Sequence, residues 1–180
     1  MRTIFLSISL LFFAAVPGFC SDVVKPQETR DSSSNGYVSK PVAAFETVTT
    51  KGDLLSSQAH GARALLISLW GLNCGSCLDE MKVLEPFYRE FKDQGLKIWA
   101  VNTEDIGGKE IEEGLRNKGI EVSYDLIPDP GLEITKLFTS WFIPVTLIVD
   151  SEGIVQYYKV GFNEADVEKI KAMVGSFLVR

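Results

Sequence analysis

The sequence LLISLWGLNCGSC, residues 65–77, decides the fold of this chain. Residues 65–70 are nearly all apolar, which is typical of a central strand that is covered on both faces. A helix is predicted directly afterwards, over residues 76–93, because apolar side chains recur there at spacings of three and four and Gly95 ends the pattern. The two cysteines of this segment therefore stand where a buried strand gives way to a helix.

Strands and helices alternate along the rest of the chain. The pattern predicts strands over residues 43–48, 97–102, 145–149 and 154–160, and helices over residues 109–118, 132–138 and from about 163 onwards. Residues 124–130 carry two prolines and are expected to be irregular. This order gives an α/β domain, with a central mixed β-sheet flanked by helices on both faces and right-handed crossovers between parallel strands.

The first 41 residues differ in composition from the rest. One arginine and an apolar run over residues 4–16, broken by a Pro-Gly pair, are typical of a secretory signal peptide, so residues 1–20 are assigned to a signal peptide or an uncleaved anchor. Residues 21–41 are predicted to be a disordered linker, and residues 42–180 the folded domain. Cys20 is either discarded with the leader or retained and lipidated, and an uncleaved leader would tether the protein to a membrane.

Charge and metal-ligand content limit the partners. The 180-residue chain has a formal net charge of −6 and no basic stripe on a predicted helix, which argues against nucleic acid and anionic membrane surfaces. A Cys-x-x-Cys pair is half of a common zinc site, but the second Cys or His pair is missing, so we expect no metal and no cofactor. The only histidine, His60, lies in a turn-rich segment and is predicted to be a solvated surface residue.

The segment Cys74-Gly75-Ser76-Cys77 is either a structural disulfide or a redox-active dithiol. A bridge across so short a loop constrains the unfolded chain little, which favours chemistry. The first turn of a helix presents unpaired N–H groups and the positive end of its dipole, so a thiolate at Cys74 is stabilised. Cys74 is therefore the predicted nucleophile, and Cys77, about one turn further along, is predicted to resolve the mixed disulfide.

Two further residues are candidates for the site. Glu80 follows Cys77 at i,i+3, so their side chains share a helix face. If buried, its carboxylate would have a raised pKa and would exchange a proton with the thiols, whereas a solvated carboxylate beside Asp79 would have no such role. Pro144 starts a predicted strand, and a trans Ile143–Pro144 bond is the simplest expectation, because only about 5–6% of X–Pro bonds are cis.

These residues resemble a known family, the thioredoxin-like proteins of the TlpA/ResA type, over about residues 43–178. The resemblance rests on Leu69-Trp70, the dithiol segment, Glu80-Met81, Ala100-Val101-Asn102, and the run IPVTLIVDSEG at residues 143–153. It implies a thioredoxin fold with an N-terminal β extension and a central inserted strand–helix unit. It also implies a thiol–disulfide oxidoreductase that is exported to the bacterial periplasm, either soluble or anchored by its N-terminus.

The resemblance assigns roles to individual residues. It implies that Pro144 is a cis-proline facing the dithiol, that Ile143 pairs with an extended client segment, and that Glu80 is the buried acid of ResA-like reductases. Trp70 and Asn73 are the other expected client-binding residues. The chain departs from the family at Asn73, where Trp is usual, and in the Gly-Ser pair between the cysteines, where Pro is common.

Proteins of this type typically reduce disulfides of exported proteins, often in cytochrome c maturation, with electrons from a membrane thiol reductant. The leading interpretation is therefore a protein disulfide reductase with disulfide-containing client proteins. A disulfide oxidant or isomerase stays open, since direction depends on the reduction potential of the pair. So does a non-catalytic binding module in which the Cys74–Cys77 bridge is structural.

Overall fold

The computed structural model describes residues 36–138 and 142–178, so the predicted signal peptide, Cys20 and most of the linker lie outside the described residues. The strands in this part of the chain are β1 (Glu46–Val48), β2 (Leu54–Ser56), β3 (Ala64–Trp70), β4 (Leu96–Asn102), β5 (Asp125–Pro128), β6 (Val145–Asp150) and β7 (Val155–Val160). The α-helices are α1 (Gly75–Phe91), α2 (Gly108–Asn117) and α3 (Glu164–Leu178). Across the described ranges, no helix is long and apolar enough to cross a membrane.

Five of the strands form one mixed sheet in the order β5–β4–β3–β6–β7. The central strand β3 is parallel to β4 and antiparallel to β6, while β5 extends the sheet parallel to β4 and β7 pairs antiparallel with β6. All seven residues of β3 are buried, as its apolar sequence predicts. The hairpin of β1 and β2 forms a separate two-stranded sheet. The predicted α/β class, with a mixed sheet, an N-terminal β extension and an inserted unit, is confirmed.

Side chains of the sheet alternate between two apolar cores, as the two-residue period of a strand requires. Leu66 faces a core that it shares with residues of α1, α2 and α3. Ile67 faces the opposite core, which is closed by the 3-10 helix Thr135–Phe138 and by the segment that leads into β1. The helix on this second face is therefore a single short turn, shorter than the predicted span of 132–138.

The edge of the sheet corrects one prediction. Residues 124–130 are not irregular throughout, because Asp125–Pro128 form β5 and pair with β4 from Trp99 to Asn102. Proline is tolerated there because β5 is an edge strand and Pro128 is its last residue.

The described part of the predicted linker packs on the domain. The Ser39 backbone N donates to the Val155 oxygen at 2.8 Å, and the Val155 N donates to the Lys40 oxygen at 2.9 Å. Tyr37 stacks on Tyr158 with ring centroids 4.8 Å apart. Residues 37–41 therefore belong with the folded domain, although their composition is that of a linker.

The prediction that His60 is a solvated surface residue is wrong. Only 5% of His60 is exposed, and its Nδ1 accepts a hydrogen bond of 3.1 Å from the Ala62 backbone N. The Lys97 ammonium donates to the His60 carbonyl oxygen at 2.7 Å. Burial, and then the positive charge of Lys97, lower the pKa of the imidazole below its ordinary value.

Candidate active site

Cys74 and Cys77 form a disulfide where β3 leads into α1. Cys74 is the N-cap residue of α1 and is partly exposed, whereas Cys77, in the first turn, has no exposed surface. A client sulfur can therefore reach Cys74 but not Cys77. The predicted roles, with Cys74 as the nucleophile and Cys77 as the resolving residue, require this difference in accessibility.

The helix start surrounds Cys74 with positive backbone dipoles. The Cys77 backbone N donates to the Cys74 Sγ at 3.2 Å, and the Leu78 N donates to the Cys74 carbonyl oxygen at 3.1 Å. When the bridge is reduced, the Cys77 N–H group and the dipole of a 17-residue helix favour the thiolate form of Cys74 over the thiol.

The backbone of Ile143, just before Pro144, faces the exposed sulfur. The Ile143–Pro144 bond is cis, as the family resemblance implies. The trans bond expected from the low frequency of cis X–Pro bonds is wrong here. The Cys74 Sγ lies 3.7 Å from the Ile143 carbonyl oxygen. Pro144 stands directly before β6, and its own carbonyl oxygen accepts a hydrogen bond of 2.7 Å from the Gly161 backbone N after β7. The two ends of the β6–β7 hairpin thus fix the segment opposite the dithiol.

Glu80 is buried, so the alternative of a solvated helix-face acid is wrong. Only 1% of the residue is exposed. Its Oε2 accepts a hydrogen bond of 2.7 Å from the Ser68 hydroxyl, and its Oε1 accepts one of 2.5 Å from the Thr146 hydroxyl. Burial raises the pKa of Glu80, and the charge of Asp166 adds to the rise, while the two hydroxyl hydrogen bonds oppose it.

The two remaining predicted client-binding residues differ in exposure. Asn73 is exposed beside Cys74. Trp70 has no exposed surface, so its assignment to the client-binding surface is corrected: its side chain packs in the core beneath the site. Its carbonyl oxygen accepts hydrogen bonds from the Thr103 backbone N at 2.9 Å and from the Thr103 hydroxyl at 3.2 Å.

Four polar residues of the site were missed by the sequence reasoning. Ser68 and Thr146 donate hydrogen bonds to Glu80. Glu104 accepts hydrogen bonds from the loop that leads to Cys74, and Asn102 is hydrogen-bonded to Glu104. The feature of the sequence that could have identified Ser68 and Thr146 is a hydroxyl in the middle of an apolar strand. For the other two it is the carboxyl end of β4, which lies beside the carboxyl end of β3 in a parallel pair. Among the described residues, no group of three or more His, Cys, Asp or Glu side chains is placed to hold a metal ion.

The sheet order, the dithiol at a strand-to-helix junction and the proline segment opposite it define a thioredoxin-like thiol–disulfide oxidoreductase of the TlpA/ResA type. Residues 38–158 match the family described as the AhpC/TSA family, and the chain belongs to this family.

Known proteins of the same kind are similar over most of the chain. The thiol-disulfide oxidoreductase ResA of Halalkalibacterium halodurans is 25% identical over 125 residues, which are 69% of this chain and 69% of that protein. The thiol:disulfide interchange protein DsbE of Tatumella citrea is 27% identical over 138 residues, 75% of this chain and 71% of that protein. The thioredoxin domain of a thiol-disulfide oxidoreductase from Bacteroides vulgatus has the same fold, with a TM-score of 0.65, 17% identity and coverage of 76% of this chain and 97% of that domain.

Proposed function

We propose that this protein reduces disulfides of exported client proteins, with Cys74 as the attacking residue and Cys77 as the resolving residue. The observation that carries the proposal is the contrast in exposure between a reachable Cys74 at the helix start and a Cys77 with no exposed surface. A purely structural bridge needs no such contrast. The names of the relatives, thiol-disulfide oxidoreductase and thiol:disulfide interchange protein, support the same chemistry.

The reaction proceeds in two exchange steps. The Cys74 thiolate attacks one sulfur of the client disulfide, forms a bond to it and releases the other client sulfur as a thiolate. The Cys77 thiolate then attacks Cys74 Sγ, forms the intramolecular bridge and releases the second client sulfur. The client disulfide gains two electrons, and the dithiol loses two. A thiol reductant, for which we propose a membrane protein of the same compartment, returns the bridge to the dithiol.

Glu80 acts on the proton of the resolving thiol. It stands one helical turn after Cys77 on the same face of α1, and its carboxylate is buried between Ser68 and Thr146. The Cys77 thiol must lose its proton before its sulfur can attack, and water has little access to it. A carboxylate whose pKa is raised by burial is a better acceptor for that proton than an ordinary carboxylate, and it can return the proton to a leaving sulfur.

Ile143 and Asn73 form the client-binding rim in this proposal, and the buried Pro144 holds the Ile143 backbone in place from behind. The Ile143 carbonyl oxygen is already within 3.7 Å of the attacking sulfur, so a client segment that places its disulfide on Cys74 runs alongside this backbone. An extended segment would pair with it as an added strand. The apolar N-terminal run supports export into an oxidising compartment such as the bacterial periplasm, where cytochrome c maturation is one process that needs reduced client cysteines.

Insulin reduction tests the proposal. We expect Cys74→Ser to abolish the reaction and Cys77→Ser to accumulate a mixed disulfide with the client, while Cys20→Ser, which removes the third thiol of the chain, leaves the rate unchanged. Full activity of Cys74→Ser contradicts the mechanism. The reduction potential of the pair tests the direction, because about 30 mV corresponds to about 1.4 kcal/mol for two electrons, and a potential well above that of the compartment would favour an oxidant.

A further inference from the structure

Glu104 lies in the turn that follows β4, at the end of the sheet where the dithiol also lies. Its backbone N donates to the Asn102 Oδ1 at 3.0 Å, so the turn is closed by an Asn side chain that is itself fully buried. The preceding residue, Thr103, donates to the last carbonyl of β3 through both its backbone N and its hydroxyl. The turn is therefore fixed by hydrogen bonds to Asn102 at the end of β4 and to the last carbonyl of β3.

The Glu104 carboxylate accepts three hydrogen bonds. Its Oε2 accepts from the Leu72 backbone N at 2.8 Å and from the Asn102 Nδ2 at 3.4 Å, and its Oε1 accepts from the Asn73 Nδ2 at 3.1 Å. Both oxygens thus act as acceptors. A glutamine at this position would turn an NH₂ group toward one of these donors, and of the three only the exposed Asn73 amide can rotate to accept from it, so the carboxylate is the group that accepts from all three donors as they stand.

These contacts fix the loop from which the attacking sulfur projects. Leu72 and Asn73 are the two residues immediately before Cys74. Gly71 sits between the carboxylate and the proline segment: a Cβ atom built there would lie 3.5 Å from the Glu104 Cδ and 3.1 Å from the Ile143 Cδ1. The loop is therefore enclosed by Glu104 on one side and Ile143 on the other.

We propose that Glu104 is the positioning residue of the dithiol: its carboxylate anchors residues 71–73 and so sets the position of Cys74 relative to Ile143 and Pro144. This inference rests on the proposed reductase function. In-line attack on a client disulfide needs the sulfur in a defined position, and small misplacements of a reacting atom cost large factors in rate. The same negative charge, in contact with Asn73, opposes formation of the Cys74 thiolate after reduction.

Loss of the negative charge should lower the pKa of the Cys74 thiol, whereas loss of the anchor should slow client reduction. Because the two effects are measured separately, they can be told apart. In Glu104→Ala, which removes the charge together with all three acceptor contacts, we expect the Cys74 thiol to become more acidic, measured by iodoacetamide alkylation against pH, and yet client reduction to slow by about tenfold, or about 1.4 kcal/mol. Glu104→Asp keeps the charge on a shorter side chain, so we expect the wild-type thiol pKa together with slower client reduction. Asp105→Asn, one exposed residue further on, is the matched control and leaves the client reduction rate unchanged.

Hydrogen exchange separates failure of this inference from failure of the reductase proposal. The Leu72 amide should exchange faster in Glu104→Ala than in the wild type, and this readout does not depend on any activity. If the wild-type protein reduces no disulfide, the proposed function is wrong. If it reduces disulfides and Glu104→Ala matches it in client rate with an unchanged Leu72 exchange rate, or if Asp105→Asn slows the reaction as much, the positioning role of Glu104 is wrong.

Discussion

The carboxylate of Glu80 accepts a hydrogen bond of 2.5 Å from the hydroxyl of Thr146. The first residue belongs to the helix that carries the dithiol, and the second follows the cis-proline by two positions on β6. Both are almost fully buried, with 1% and 2% exposed. The two segments that meet at the exposed sulfur are therefore also joined beneath it, by the hydrogen bond between Glu80 and Thr146.

Glu80→Gln should change the pH dependence of the resolving step. The wild-type rate should fall as pH falls through the raised pKa of Glu80, because the protonated carboxyl can no longer accept the Cys77 proton. We expect the variant to lack this limb and to resolve mixed disulfides about 10²-fold more slowly at neutral pH. The measurement is the decay of the transient Cys74–client disulfide in protein that retains Cys77, followed by rapid mixing and acid quench between acidic and alkaline pH. Asp79→Asn, an exposed neighbour, is the control; a wild-type profile in Glu80→Gln would remove the acid–base role.

Thr146→Val should raise the pKa of Glu80 further and destabilise the fold. Valine keeps the shape of the side chain but removes a hydroxyl donor that lowers the Glu80 pKa. We expect the free energy of unfolding in urea at neutral pH to fall by about 1–3 kcal/mol, the cost of leaving a buried acceptor short of a partner. Thr47→Val, on the partly exposed strand β1, should change it by less than about 0.5 kcal/mol. An equal loss in both variants would show that Glu80 gains nothing from the Thr146 hydroxyl.

The sequence predicts what depends on local spacing and fails where distant segments meet. Cys77 and Glu80 share a helix, so their relation follows from i,i+3 spacing alone. The partners of Glu80 do not, because Ser68 and Thr146 come together only through the antiparallel register of β3 and β6. A single hydroxyl in an apolar strand is a weak signal until that register is known.

The same limit applies to charged and polar residues in loops. Glu104 is an ordinary acidic turn residue until the parallel pairing of β3 and β4 brings the ends of both strands together. His60 sits in a polar stretch, and its carbonyl oxygen accepts a hydrogen bond from Lys97, a residue 37 positions later that the local sequence does not reveal as a neighbour. The composition correctly predicts a polar loop, but it gives no sign that the histidine within the loop is buried.

His60 should make the domain less stable in acid. A lowered pKa means that the folded state disfavours the charged imidazole, so the stabilising contribution is complete above the ordinary value of 6.5 and is lost as pH falls through the depressed value. We expect the urea midpoint of the wild type to drop over that range relative to His60→Asn, which has no imidazole to protonate. The two proteins should be compared at each pH, because other groups titrate in both. Parallel curves would contradict the assignment.

Gly114→Ala should disturb the dithiol from the face of the inserted helix α2 that contacts Leu72. A Cβ atom at Gly114 would lie 2.5 Å from the Leu72 Cδ1 and 2.8 Å from its Cδ2, so the Leu72 side chain must move. Leu72 belongs to the loop just before Cys74, and we therefore expect client reduction to slow severalfold, although alanine favours a helix by about 1 kcal/mol over glycine.

The control for that substitution is Gly175→Ala in α3, where a Cβ atom would meet nothing within 4 Å. It should raise the free energy of unfolding by up to about 1 kcal/mol and leave the client reduction rate alone. Leu72→Ala removes the colliding atoms, so the double variant Leu72→Ala/Gly114→Ala should lose less activity than the two single losses combined. Strictly additive losses would mean that α2 does not act on the dithiol loop through Leu72, and that Gly114 is needed for some other contact of the helix.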